Sequence, residues 1–246
     1  MKLVDEFRDP SLAAPIVREI KALLDGMGRG AESPLKVMEV CGGHTHAIFK
    51  FGLEEMLPPG IELVHGPGCP VCVLPTGCID DAIALAERSR VILATFGDVV
   101  RVPGSAKSLL QARAEGADVR VVYAPTDALQ IAIENPEREV VFLAIGFETT
   151  SPSTALTLLA AERAGVRNFT ILCHHIVVVP AILALLDAPR MQLDAFLGPG
   201  HVSMVIGLAP YDVIARDRHK PFVVAGFEPL DVLLALRLVV AQLAEG

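Results

Sequence analysis

The sequence predicts an α/β fold of two lobes, each a mostly parallel sheet with helices on both faces. Three observations carry that prediction. Short β-branched runs alternate with helical stretches almost from end to end. The runs are continuously apolar, as strands buried on both faces of a parallel sheet are. Residues capable of chemistry fall in two groups, one before Gly104 and one between Gly146 and Ser203.

Taken in order, a helix over Pro15–Leu24 leads into a first strand, Lys36–Val40, which ends at a glycine pair. The helix Thr45–Met56 follows, then the strand Ile61–His65, closed by Gly-Pro-Gly. Next come the helix Ile79–Arg88, the strand Val91–Phe96, the helix Ala106–Glu115 and the strand Val119–Tyr123. The helix Thr126–Ile133, the strand Val140–Ile145, the helix Ser153–Ala164 and the strand Phe169–His174 continue the alternation. Pro180–Leu186 reads as a helix, Ala195–Leu197 and Phe222–Ala225 as strands, and Pro229–Ala244 as the last helix. Strands are read from apolar runs bounded by Gly, Pro and Asp, and helices from longer periodic stretches. The expected organisation is a lobe over 1–118, a second over 119–220, and a strand and helix over 221–246 returning to the first. Open α/β sheets bind ligands at the carboxyl ends of their strands, so the strand-exit turns are where a site is expected.

Composition excludes several classes of function. The 246 residues are 52% hydrophobic and 20% charged, which rules out general disorder. Against 29 acidic residues stand 21 basic ones, a net charge of −8. With no basic cluster, neither nucleic acid nor an anionic membrane is expected as a partner. Mean hydropathy is high at +0.50, but no stretch approaches the roughly 20 apolar residues of a spanning helix. Ile176–Leu186 contains Pro180, and Val232–Ala241 is broken by Arg237. The acidic and basic N-terminus does not read as a signal peptide, so a soluble, cytoplasmic protein is expected. The five cysteines are an odd number, which favours metal or redox chemistry over a disulfide framework.

Two segments stand out. Cys41-Gly42-Gly43-His44-Thr45-His46 directly follows a strand. It should open a helix, where the positive N-terminal field favours a thiolate at Cys41, and the histidines can supply a base or a ligand. Gly66-Pro67-Gly68-Cys69-Pro70-Val71-Cys72 follows the next strand. Its two-residue cysteine spacing suits zinc, iron or thiol–disulfide exchange equally, and Cys41 with His44 could complete a zinc set. Cys78 and Cys173 read as packed thiols, and His174 and His175 as imidazoles satisfied by backbone groups. Four further turns contain Asp98 with Arg101, Glu148-Thr149-Thr150, His201 with Ser203, and Phe227-Glu228. Each is as readily a helix entry as a site, and no Walker loop or GxGxxG opens a helix.

Together, CGGHTH at 41–46, GPGCPVC at 66–72, TFGD with RVPGS at 95–105, GFETT at 146–150, GPGHVS at 198–203 and GFEPLD at 226–231 resemble the HypD family of hydrogenase maturation factors. The resemblance implies a scaffold for the Fe(CN)2CO group of nickel–iron hydrogenases. It implies work with the small chaperone HypC, and with HypE as cyanide donor through a C-terminal thiocyanate. By the same resemblance, Cys41 would hold the iron, Cys69 and Cys72 would be a redox pair that also binds iron, and His44 would stand beside the iron cysteine. Gly42, Gly43, Thr149, Thr150, His201 and Glu228 would line the binding site. The family also carries a 4Fe-4S cluster on four further cysteines; Cys78 and Cys173 alone cannot ligate one, so that cluster is not expected in this chain. The rival readings are a general thiol–disulfide oxidoreductase and a structural zinc protein.

Overall fold

The computed structural model describes residues 4–189 and 191–246. Eight strands form two four-stranded sheets in which every pairing is parallel. They are β1 (Leu35–Glu39), β2 (Ile61–His65), β3 (Val91–Thr95), β4 (Val119–Val121), β5 (Glu139–Gly146), β6 (Phe169–His175), β7 (Ala195–Pro199) and β8 (Phe222–Ala225). The α-helices are α1 (Pro10–Gly26), α2 (Gly42–Phe51), α3 (Leu53–Met56), α4 (Thr76–Ala86), α5 (Leu109–Ala114), α6 (Pro125–Glu134), α7 (Ser151–Arg163), α8 (Val178–Leu186), α9 (Gly200–Ile206) and α10 (Pro229–Glu245).

Contacts divide the chain into two units, Met1–Cys69 with Val177–Gly246, and Pro70–Ile176. The first has the strand order β2-β1-β7-β8. Its main core joins Val37, Ala195 and Leu197 to Ile20 and Leu24 of α1, Ile48 of α2, and Leu233 and Leu236 of α10. The second has the order β4-β3-β5-β6 and is apolar on both faces. Leu93 and Leu143 pack toward α4 and α5, while Ile92, Ala94 and Phe142 pack toward α6.

This partition differs from the expected 1–118 and 119–220. β3 lies between β4 and β5, so it belongs to the second sheet, and β7 lies between β1 and β8 in the first. The reason is that β3 needs neighbours along both edges and apolar cover on both faces, and finds all of them in the second unit. The final strand and helix, β8 and α10, belong to the first unit.

Two local differences bear on the site. The helix expected over Thr45–Met56 is interrupted at Gly52, whose left-handed φ of 61° caps α2 and starts α3. The helix α9, absent from the expected helices, opens at Gly200, which makes the GPGHVS turn a helix entry.

Candidate functional site

The first unit's site is built where β1 gives way to α2. Cys41 leaves the strand extended, with φ −153°, and acts as the helix N-cap, its Sγ accepting the Gly43 N–H at 3.4 Å. The residue is only 7% exposed. Burial is the largest influence on its thiol and pushes the pKa up; the Gly43 and His44 N–H groups pull it down, and Glu39 adds an upward push. The expected thiolate therefore does not arise from the helix field alone, because desolvation outweighs it. Cys41 by itself is a thiol, and a metal bound there would displace its proton.

His44, in the first turn of α2, is wholly buried. Its Nε2 lies 3.2 Å from the Ala225 carbonyl oxygen and 3.0 Å from that of Gly226. Carbonyls only accept, so Nε2 carries the hydrogen. Nδ1 is then an acceptor, buried and without a hydrogen-bond partner. Burial pushes the imidazole pKa down, partly opposed by the Ala225 carbonyl.

That shift gives a sign for pH dependence. Above the ordinary imidazole pKa of about 6.5, His44 is neutral in both the folded and unfolded chain. As pH falls below that value the unfolded chain gains a proton that the folded one resists, so stability declines. The melting temperature should fall as pH drops below about 6.5. The fall should be shallower in His44→Gln, which keeps a side-chain N–H for the two carbonyls. Identical slopes would mean that His44 is not the titrating group.

The second loop is stitched onto this turn. The Gly66 N–H donates to the Glu39 carbonyl at 2.8 Å, and the Gly42 N–H donates to the Gly68 carbonyl at 3.2 Å. Gly68 sits so close to the Cys41–Gly42 backbone that a Cβ there would lie 2.6 Å from the Cys41 carbonyl carbon and 2.9 Å from its Cα. Cys69 is partly buried, Cys72 is exposed, and none of the five cysteines is in a disulfide. The boundary between the units falls between Cys69 and Pro70. No group of three or more His, Cys, Asp or Glu is placed to hold a metal among the described residues.

The exit of β8 brings further expected residues to the Cys41 turn. The Phe227 ring lies 5.0 Å from that of His44 and 5.2 Å from that of His201, centroid to centroid. Gly43 abuts the same ring. His201, in the first turn of α9, is exposed, and partial burial still pushes its pKa down. Glu228 is the N-cap of α10 and accepts from Arg8 Nη2 at 2.7 Å, which holds its carboxyl below the usual range.

Thr149 and Thr150 lie in the second unit, where the Thr150 hydroxyl donates to the Phe147 carbonyl at 2.9 Å, a helix-entry turn before α7. Two expectations there need correction. Cys173 is exposed rather than packed, because β6 is an edge strand, and its Sγ lies 3.3 Å from His175 Nδ1. His174 Nε2 is buried without a hydrogen-bond partner, so backbone groups do not satisfy it.

Glu39 was not singled out from the sequence, yet it is wholly buried and binds both the Cys41 N–H and His65 at the end of β2. The signal available was an acidic residue at the end of an apolar strand, two places before the cysteine.

Among the described residues, no helix is long and apolar enough to cross a membrane. A family model for HypD, described as "Hydrogenase formation hypA family", matches residues 12–246. The hydrogenase maturation factor HypD of Rhodobacter capsulatus is 57% identical over 246 residues, covering 100% of this chain and 65% of its own length. That of Escherichia coli K12 is 54% identical over 242 residues, covering 98% of this chain and 65% of its own length. That of Cupriavidus necator is 48% identical over 253 residues, again covering 100% and 65%. The chain thus spans 65% of the length of these curated relatives. With the family model covering nearly all of its length and about half of its residues shared with such relatives, the chain belongs to the HypD family of hydrogenase maturation factors.

Proposed function

We propose that the protein is a scaffold on which the Fe(CN)2CO group of nickel–iron hydrogenases is assembled. Iron is its cargo, held through Cys41, with Cys69 and Cys72 as a dithiol that also contacts the metal. The small chaperone HypC would share the iron, and HypE would deliver cyanide. The observation that carries the reading is the Cys41 turn. It offers a buried soft donor at a helix start, with a neutral imidazole whose Nδ1 is an unused acceptor, and a second cysteine loop bonded to its backbone. Soft thiolates suit low-valent iron, and burial excludes competing water. His44, held by two carbonyls, is ready to accept a hydrogen bond within the site. His201, Glu228 and the glycines 42 and 43 would shape its wall. A free Cys41 thiol and a dithiol that must be re-reduced after each oxidation suit a reducing compartment, so the work would be done in the cytoplasm.

The test is metal analysis and infrared spectroscopy of protein purified anaerobically, alone and with the small chaperone. Bound iron with cyanide and carbonyl stretches is expected in the complex. Zinc in place of iron, or no metal in either preparation, would overturn the reading.

The dithiol makes its own prediction. Oxidation of Cys69 and Cys72 to a disulfide releases two electrons and two protons, and reduction takes them back. Thiol titration after mild oxidation should show one pair fewer than after reduction, and Cys69→Ser should abolish that difference. An unchanged count in the wild-type protein would exclude the pair as a redox couple.

A further inference from the structure

A wholly buried carboxylate is costly unless its oxygens are bound. Glu39 is 0% exposed and meets that requirement through three donors. Its Oε2 accepts the Cys41 N–H at 2.8 Å. Its Oε1 accepts from His65 Nδ1 at 2.8 Å and from the Thr45 hydroxyl. The three donors belong to three pieces of backbone: the Cys41 turn, the first turn of α2, and the last residue of β2. Parallel pairing sets Glu39 directly beside His65 at the carboxyl end of the sheet. His65 is itself held from two sides, its ring 5.1 Å from that of Phe49 and its Nε2 3.6 Å from Glu54. Immediately after His65 the chain enters the loop over 66–72, which carries Cys69.

The geometry points to Glu39 as a positioning residue that ties the Cys41 turn to the end of β2, and so to the second cysteine loop. Its functional consequence rests on the reading of Cys41 as the iron-holding residue. Fold stability alone does not call for a carboxylate here. Buried charges can often be replaced by apolar groups without loss of stability. What only the carboxylate can do is join at one point three donors from the Cys41 turn, the start of α2 and the end of β2. The coupling runs both ways, so a change at His65 should be felt at Cys41, far away in sequence.

The test uses the intact chain without metal, under anaerobic conditions and at one pH. Each cysteine's alkylation by iodoacetamide is followed by mass spectrometry, with exposed Cys173 as the internal reference. Relative to Cys173, Cys41 should react about tenfold faster in Glu39→Ala, the effect of losing a charge-assisted hydrogen bond that keeps the turn closed. A severalfold rise is expected in His65→Phe, which keeps the ring against Phe49 and loses the donor. Glu39→Gln should recover part of the protection, since its amide oxygen still accepts. The double variant Glu39→Ala/His65→Phe should react no faster than Glu39→Ala, because both changes cut the same link.

Unchanged Cys41 reactivity in Glu39→Ala and His65→Phe would overturn the proposal. So would additive effects, or a parallel rise at Cys78, which lies outside the link and would signal general loosening. If Glu39→Ala does not fold, Glu39→Gln and His65→Phe with their double variant decide the matter by the same criteria. Iron binding by the same proteins separates the two readings. Altered Cys41 reactivity in a chain that binds no iron supports Glu39's role and removes the scaffold reading. Normal iron binding with Cys41 reactivity unchanged in every variant overturns Glu39's role alone.

Discussion

Gly68→Ala should cost the first unit roughly 3 kcal/mol or more and destroy the candidate site, although it adds a single methyl group. The added Cβ would fall on the Gly42 nitrogen, 2.6 Å from the Cys41 carbonyl carbon and 2.9 Å from its Cα. These are backbone atoms, so no side-chain rotation relieves the clash. The loop must move away, and the bond from the Gly42 N–H to the Gly68 carbonyl goes with it. Gly42→Ala is the matched control. Its Cβ would meet the Gly68 carbonyl oxygen at 3.4 Å, an ordinary contact, and alanine is the better helix former by about 1 kcal/mol. Chemical denaturation should therefore show a large loss for the first variant and little or none for the second. Cys41 alkylation should rise only in Gly68→Ala. Equal stability of the two variants would mean that the loops are not locked together.

That interlock shows what the sequence displays and what it hides. The strand-exit turns were legible because Gly, Pro, Cys and His cluster there after apolar runs, and the α/β class followed from the continuous apolarity of strands such as Val91–Thr95. Strand order was not legible. Nothing in the composition of β3 says that it sits between β4 and β5, or that β7 crosses back to lie beside β1. Parallel pairing is chosen by the helices that cover each face, and no local pattern records that choice. Likewise, Cys41 and His44 announce themselves by residue type, while Glu39 does not. Its importance lies in a register, Glu39 opposite His65, that exists only once two strands pair. The thiolate expectation failed for a similar reason. The helix start was visible in the sequence, but the burial that opposes it comes from packing.

Replacing Cys41 should separate folding from iron chemistry more cleanly than any other single change. In Cys41→Ala the helix loses its side-chain cap, and the buried sulfur leaves a small void. Together these should cost about 1–2 kcal/mol, which leaves the fold intact. Cys41→Ser restores a capping oxygen for the Gly43 N–H, so its melting temperature should match or exceed that of the alanine variant. Neither variant supplies a thiolate, however, and a hydroxyl is a poor donor for iron that prefers soft ligands. Both should therefore lose the cyanide and carbonyl bands in the infrared spectrum of the complex with the small chaperone. Circular dichroism and thermal melts would confirm that the first unit still folds. The serine variant carries the argument, because it repairs the local structure and leaves only the ligand changed. Bands at wild-type intensity in Cys41→Ser would show that the iron is anchored elsewhere, and the Cys41 turn would then be a structural cap alone.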